Sequence, residues 1–522
     1  MALAHREPNR RTISIQLCSV SLCQNETVEY RFVMTERRGM AMFAGQGGKS
    51  GGFELTRRRL FTAGGALIAA ASTTNCSGTD EPADDAVLRS TVRGRVLLPG
   101  DAGFDQARTP WNLTVDQSVR AVVELADADD ASALIRYARQ VGRSLAVQPN
   151  GHNPSPSADG TILVRTKRLD ELRIDPDART ARVGAGVNWG QLQMAAGAHG
   201  LTGVAGSSPA VGVTGYTLGG GLSWFARQFG WACDNVIAFD IVDADGRARK
   251  VTASSDSSLF WALRGGGGDY ALVTALEFRL HPAPELYGGK MLWPIDQAPR
   301  VMAAFREITA TAPEEMTVWF SLLRMDGAAP MVGVDTTYLG QADAGRSLLA
   351  AFDRIDGRMV DSRRPMPPAE LGSIVGEPTD PSPIRSHAEL LNGFTDADAE
   401  AILTTSMEPL GAIQIRHLGG AIARPSDSPP GAVTAPYYMS LIGGEATPQA
   451  AAANDGRIQD YLRAVDRSRS RRTPLTLLSP GQTAVDAFDS ATLDRLRGVK
   501  NSVDPEGVFR SNFPVREPAS GR

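Results

Sequence analysis

Cysteine is nearly absent: the chain has four in 522 residues, Cys18, Cys23, Cys76 and Cys233. Three of them fall in the first 80 positions and no CxxC pair exists. A disulfide framework and a thiolate zinc site are therefore both excluded, and no metal is expected. Histidine is also scarce, at six. An excess of one charge is missing too. Against 58 acidic residues stand 54 basic ones, leaving −4, so no basic patch argues for nucleic acid as a partner. What remains is 42% hydrophobic and 21% charged, the composition of an ordinary globular protein. The length calls for two domains, or one large and one small.

Residues 1–90 do not read as a domain. The stretch 55–78, "LTRRRLFTAGGALIAAASTTNCSG", sets the basic cluster Arg57, Arg58, Arg59 before an apolar, small-residue run at 60–71. That run is too short to span a membrane. Thr56-Arg57-Arg58-Arg59-Leu60-Phe61 resembles the twin-arginine export consensus, so a periplasmic or extracellular location is expected. A chance basic patch before a small helix is the alternative. Thr73-Thr74-Asn75 makes a poor acylation site, so lipid anchoring at Cys76 is not expected. Residues 1–33 fit badly upstream of such a signal, which makes Met34, Met40 or Met42 the expected start. Twin-arginine export carries folded proteins, and so hints at a cofactor.

From Gly94 onward short strands and helices alternate. "RAVVEL" (120–125), "SLAVQ", "TILVRT" and "TARVGAGV" predict strands, and "DDASALIRYARQVG" (129–142) a helix closed by Gly142. "NWGQLQMAAGAHG" predicts a helix ending at Gly200. "VIAFDIVDADG" and "ALVTALEFRLHP" close this unit near Pro282. Residues 285–480 change character, with strands such as "MTVWFSLL", "PMVGVDTTYLG" and "AIQIRHLGGAIAR" between amphipathic helices. A proline-rich stretch, "RRPMPPAELGSIVGEPTDPSP", reads as a long surface loop. The fold class is α+β, with no internal repeat.

Two loops carry chemistry. "AVQPNGHNPSPSADG" (146–160) places one of the rare histidines, His152, in a turn of prolines, asparagines and Gly151, directly after an apolar strand. A solvated turn histidine is the ordinary reading. "GSSPAVGVTGYTLGGG" (206–221) packs six glycines into sixteen residues among hydroxyls. Glycines let backbone N–H groups approach a phosphate, and such concavities bind anions. The spacing is neither a Walker A loop nor a Rossmann fingerprint. A purely structural glycine loop is the alternative. "GAGVNWG" lacks the strand–turn–helix setting of a dinucleotide site and reads as strand-end glycines.

The run from "QPNGH" through "VGAGVNWGQLQMAAGAHGLTGVAGSSPAVGVTGYTLGGGLSWFARQFGWACDNVIAFDIVDADG" to "LFWALRGGGGDYALVTALEFRLHP" resembles the berberine-bridge-enzyme-like (BBE-like) FAD-linked oxidoreductases. Their FAD domain is of the p-cresol methylhydroxylase/vanillyl-alcohol oxidase type. The tail "VDPEGVFRSNFP" resembles the segment by which that family returns to the flavin. The likeness is strong over 108–283, good over 480–515 and weak between. It implies an FAD domain at 108–283, an α+β substrate domain with an antiparallel sheet at 284–480, and a segment at 481–515 that rejoins the FAD domain.

The resemblance also implies roles. In the family the histidine of the first loop bonds the flavin 8α carbon, and here that residue is His152, with Asn150-Gly151 replacing the usual glycine pair. A second link in many relatives runs from a cysteine in a G-x-C-P setting. Ser208 stands there instead, and a serine hydroxyl without an activating base is too weak a nucleophile, so a single tether is expected. Further FAD contacts are implied for Asn150, Gly151, Asn153, Ser207, Ser208 and Gly212. The rest of the implied set is Thr214, Gly215, Gly219, Gly220, Val242 and Asn512. Val211 holds the position that governs oxygen access in plant relatives.

Substrate chemistry is less legible. The family's tyrosine in a Y-x-N strand before the last helix is missing, since that strand reads "RTPLTLLSP". Tyr437, Tyr438, Arg416 and His417 are the candidate replacements, each also readable as an ordinary strand residue. Asp269-Tyr270 replaces the more usual asparagine–aromatic pair after "GGGG". Cys233 reads as core. The function implied is hydride removal from an alcohol or amine C–H of a small organic molecule, with oxygen as acceptor. A dehydrogenase with another acceptor, or a flavin-holding protein without turnover, are the alternatives.

Overall fold

The computed structural model describes residues 29–33, 41–45 and 81–516. The arginine cluster at 57–59, Cys18, Cys23, Cys76 and the candidate start methionines Met34 and Met40 lie outside them. Glu29–Val33 pairs antiparallel with Ala41–Gly45, within a first unit, Met1–Gly78. Everything described below belongs to the second unit, Thr79–Arg522.

Three large sheets, with a two-stranded pair of Leu201–Thr202 and His281–Pro282, build that unit. In a four-stranded sheet Ala121–Glu124 and Leu145–Val147 both run parallel to Ile162–Arg165, and Arg95–Leu97 joins antiparallel at the edge. The crossover is the helix Ala128–Gln140. Asp127 caps it by accepting the N–H groups of Asp129 and Asp130. Its 3.6-residue periodicity buries Ala131, Leu134, Ile135 and Ala138 completely. Burial of Leu134 and Ile135 contributes roughly 1.5–3 kcal/mol each. A five-stranded antiparallel sheet follows, in the order Ala248–Val251, Val236–Val242, Leu272–Arg279, Thr180–Gly184, Leu172–Asp175.

The largest sheet has eight strands, centred on Met331–Tyr338, Met316–Leu323, Ala412–His417 and Tyr437–Gly444. Side chains in a strand alternate between faces. Val318, Phe320, Val334, Ile415, Met439 and Leu441 therefore share one face, packed with the helices Ala298–Thr309, Asp396–Thr404 and Pro448–Ala464. Trp319, Asp335, Arg416 and Tyr438 share the opposite face, and it faces the loops that follow the first two sheets.

The proline-rich stretch 363–383 departs from its expected form as a surface loop. It makes short turns of helix at Pro368–Glu370 and Gly372–Val375, and buries Met366, Pro368, Leu371 and Ile374. Leucine and isoleucine at one-turn spacing give the segment an apolar side that must be covered, and it packs with Trp224, Phe225, Leu286 and Trp319. Pro368 opens the first of these turns and Gly376, at φ +72, closes the second, and neither detaches the segment from the core.

Candidate active site

Strand Leu145–Val147 delivers the chain into the His152 loop. Trp111 N–H donates to the Asn150 carbonyl at 2.8 Å and Asn112 N–H to that of Gly151 at 3.2 Å. Gly151 has φ +69, and a Cβ there would meet Pro110 Cβ at 2.7 Å, so only glycine fits. The His152 ring lies on Trp111, centroids 3.9 Å apart and planes 13° from parallel. Both ring nitrogens are buried and without a hydrogen-bond partner among the described residues. Burial alone pulls the imidazole down to about 4, so it is neutral at physiological pH. The solvated turn histidine is thereby excluded. A buried polar ring with no partner is costly unless something else supplies one.

The second loop closes over the first. Asn150 Nδ2 donates to the Ala210 carbonyl at 2.6 Å, so the asparagine that replaces a glycine ties the two loops together. A Cβ on Gly212 would touch Pro149 at 3.4 Å, whereas one on Gly215 would meet nothing within 4 Å. Gly215 thus leaves open space beside the helix Val213–Leu218. Ser208 Oγ and the Tyr216 hydroxyl are buried without partners among the described residues, and burial raises the Tyr216 phenol well above its usual range.

The C-terminal segment completes this end. Leu145 N–H donates to Val508 O at 2.7 Å and Arg510 N–H to Leu145 O at 2.9 Å, adding a short parallel pairing beside the strand that leads to His152. Asp269 accepts the N–H groups of Ser511 and Val515, both at 2.8 Å. Its carboxylate is therefore an anchor for the tail. Lys500 Nζ, buried, reaches Asp504 Oδ2 at 2.6 Å and the carbonyls of Asp269 and Phe509. The tail so fixed presents Asn512, which accepts from Gln148 Nε2 at 2.9 Å and donates to the Asn153 carbonyl. Asn153 Nδ2 in turn donates to Leu478 O at 2.9 Å.

A cavity of about 420 Å³ lies between these loops and the polar face of the large sheet. On its wall stand His152, Asn150, Gly151, Asn153, Ser207 and Ser208 from the expected set, and further along Val211, Gly212, Gly215, Gly219 and Asn512. Thr214, Gly220 and Val242 are not brought to it. Thr214 is buried in the first turn of its helix. Gly220, at φ +104, turns toward Pro430 and Trp231. Val242 is core, packed among residues such as Val123 and Leu272. Cys233 is fully buried, as expected.

Strand alternation separates the two candidate tyrosines. Tyr438 lines the cavity. Tyr437 points to the helical side, where its hydroxyl bonds Thr309 at 2.7 Å and its ring packs on Phe305 and Phe394. Its place in the catalytic set is corrected accordingly. His417 shares that side, contacts Arg227, and is pulled down to about 2 by burial first and the guanidinium second. Arg416 lies on the cavity side with Tyr438 and Ser440. Burial raises the Tyr438 phenol, with Arg416 opposing, so it keeps its proton at neutral pH.

Glu377 is the residue that sequence reasoning missed. The segment taken for a surface loop carries it to the cavity wall, where its Oε1 accepts the Ser207 hydroxyl at 2.5 Å. The same segment holds Trp111, whose Nε1 donates to Thr379 O at 2.9 Å. Glu370 and Asp380 flank Glu377 in the sequence, and no spacing rule distinguishes it from them.

These features fit an elongated, phosphate-bearing cofactor. Unpartnered polar atoms of His152, Ser208, Tyr216 and Gln148 converge on one cavity, and its glycines leave room at the backbone. The N–H groups of Asn150, Gly151, His152 and Asn153 have no protein acceptor among the described residues. Comparison with known proteins agrees. Residues 119–252 match the FAD binding domain family FAD_binding_4. The chain is 27% identical over 453 residues to (R)-6-hydroxynicotine oxidase of Paenarthrobacter nicotinovorans, covering 81% of this chain and 97% of that one. It is also 27% identical to an FAD-linked oxidoreductase of Bacillus subtilis, over 82% of this chain and 99% of that one. The BBE-like 1 protein of Physcomitrella patens superimposes with a TM-score of 0.73 at 21% identity, covering 83% and 99% of the two chains.

Proposed function

We propose that this chain, which carries an FAD-binding domain and has a BBE-like fold, is an FAD-linked oxidase whose FAD is tethered once, through His152. It takes a hydride from an alcohol or amine C–H of a small organic molecule and passes the electrons to molecular oxygen. The observation that carries the reading is the His152 imidazole, neutral, held flat on Trp111, with both nitrogens unpartnered at the cavity wall. A neutral imidazole is nucleophilic, and Ser208 opposite it offers no comparable group. The relative named for oxidising 6-hydroxynicotine supports the oxidase and an amine substrate.

Held by the His152 loop, the 206–221 loop and Asn512, FAD would supply the hydride acceptor and the route by which electrons leave for the final acceptor. The chain's own residues do the rest. Tyr438, kept protonated by burial, orients the substrate hydroxyl or amine by hydrogen bonding. Glu377 is the only carboxylate on the cavity wall among the described residues, and takes the proton that leaves with the hydride. Ser207 fixes the carboxylate through Oε1. The two loops and the tail exclude bulk water from the reacting carbon. Tyr437 stays outside the chemistry.

Acid precipitation of the purified protein tests the tether. Flavin colour should remain in the pellet, and a flavin that washes away refutes the link. Peroxide formed in step with substrate under air tests the acceptor; turnover with dyes alone would make the protein a dehydrogenase.

A further inference from the structure

Five strands of the large sheet place Tyr438, Arg416, Trp319, Asp335 and Lys290 side by side, each the cross-strand partner of the next. Asp335 is fully buried and pairs with Lys290 at 3.6 Å. The remaining cation in the row, Arg416, has no such partner among the described residues. Its guanidinium lies 3.8 Å from the Trp319 ring centre and 5.4 Å from that of Tyr438. Trp319 is backed in turn by Trp224, 3.5 Å away and 10° from parallel. Nε and Nη2 both donate to the Gln414 amide oxygen, Nε at 2.9 Å. The head group is therefore fixed in plane by stacking and in rotation by Gln414.

This fixing leaves an edge free. A guanidinium has five N–H groups, and Gln414 takes two. Nη1 and the second hydrogen of Nη2 remain, the pair that meets a carboxylate in fork geometry. Arg416 is half-buried and on the cavity wall. The carboxylate on the same wall, Glu377, is committed to Ser207 through Oε1 and forms no ion pair among the described residues. A cation held in a partly desolvated cavity without a counter-charge is unfavourable until an anion arrives.

We propose that the substrates are small organic acids, whose carboxylate docks on the free edge of Arg416 while the oxidised alcohol or amine carbon lies toward the loops. This rests on the oxidoreductase reading above and adds to it the substrate class. Arg416 is then a binding and specificity residue. The stack of Trp224, Trp319 and Arg416 sets its position, and Asp335 and Lys290 pair with each other, so that within this row Arg416 is the charge left for the ligand.

The test uses the full-length, flavin-loaded protein and three acid–amide pairs: acetate and acetamide, phenylacetate and phenylacetamide, benzoate and benzamide. Each is titrated while the visible flavin band is followed, so no turnover is needed. At least one acid should perturb the band with a Kd roughly thirty-fold or more below that of its amide, the scale of a desolvated charge pair. Arg416→Gln should abolish the difference and leave amide binding alone. Arg416→Lys, a point charge without the fork, should restore only part of it. No acid binding more tightly than its amide would overturn the proposal, as would Arg416→Gln with acid affinity intact. If the Gln variant loses its flavin, the acid–amide comparison in the unaltered protein and the Lys variant still decide. Peroxide formation and flavin retention, read on the same samples, fail separately if the oxidase reading is the one at fault.

Discussion

Lys500→Met should loosen the tail that completes the active site. Lys500 and Asp504 are both buried, with side chains 4% and 0% exposed. The ammonium also satisfies the carbonyls of Asp269 and Phe509. Methionine matches the stem but removes the charge, leaving Asp504 buried with only the N–H groups of Val508 and Phe509 for compensation. Breaking one half of a buried pair costs about 3–5 kcal/mol. In a unit of this size that lowers the melting temperature by only about 1 °C per kcal/mol, so the more telling readout is local. The segment that Lys500 fixes carries Asn512, and Asn512 braces the His152 loop through Gln148 and Asn153. Flavin content per protein should fall, and proteolysis within 505–516 should speed up. In Lys500→Met/Asp504→Leu both charges are gone, and the double variant should recover much of the single loss, a coupling that only contacting residues show. If the single variant loses under 1 kcal/mol and keeps full flavin content, the tail is not held by this pair. Additive single losses would refute the reasoning equally.

Other outcomes follow from the same geometry. His152, His281 and His387 are each pulled to about 4 by burial, and His417 to about 2. The unfolded chain therefore binds more protons below pH 6.5, and the cofactor-free protein should lose stability as pH falls from 6.5 toward 4, by up to about 1.4 kcal/mol per pH unit per histidine; denaturation at pH 7, 6 and 5 reads the slope, and His152→Ala should reduce it. Val211 lines the cavity, and as an oxygen gate Val211→Leu should slow reoxidation by oxygen in stopped flow while leaving reduction unchanged; equal rate constants would make it packing alone, at a cost of about 1–3 kcal/mol. Tyr438→Phe should lower turnover strongly and Tyr437→Phe hardly at all, and equal effects would contradict the assignment of faces. Lysine at both Arg57 and Arg58 should keep the protein in the cytoplasm, and unchanged export of that variant would remove the twin-arginine assignment.

What was legible in the sequence was local. The periodicity of 129–142, the alternation in "MTVWFSLL" and the glycine spacing of 206–221 are set by neighbours within a turn or a strand, and the structure keeps each nearly in place. His152 was legible because a rare residue sat in a loop whose φ demands glycine beside it. Tyr437 and Tyr438 were found as a pair but not separated, because which face of a strand looks inward depends on what packs on the sheet. Glu377 and Trp111 were not legible at all. They lie 266 positions apart, and they share the site through hydrogen bonds between residues 111–113 and 379–384, among them the Trp111 indole to Thr379 and Ser382 N–H to the Trp111 carbonyl, that no spacing anticipates. Prolines in 363–383 signalled that regular structure stops, which is correct, but not whether the chain then leaves the core. Leu371 and Ile374, at one-turn spacing, kept it there. That packing brings the proline-rich segment against both Trp111 and the large sheet. The position of the His152 ring, through Trp111, and that of the only carboxylate on the cavity wall among the described residues are thus set by the same short stretch of chain. A change that unseats Leu371 would disturb cofactor attachment and proton transfer together, and that coupling follows from packing, not from any motif.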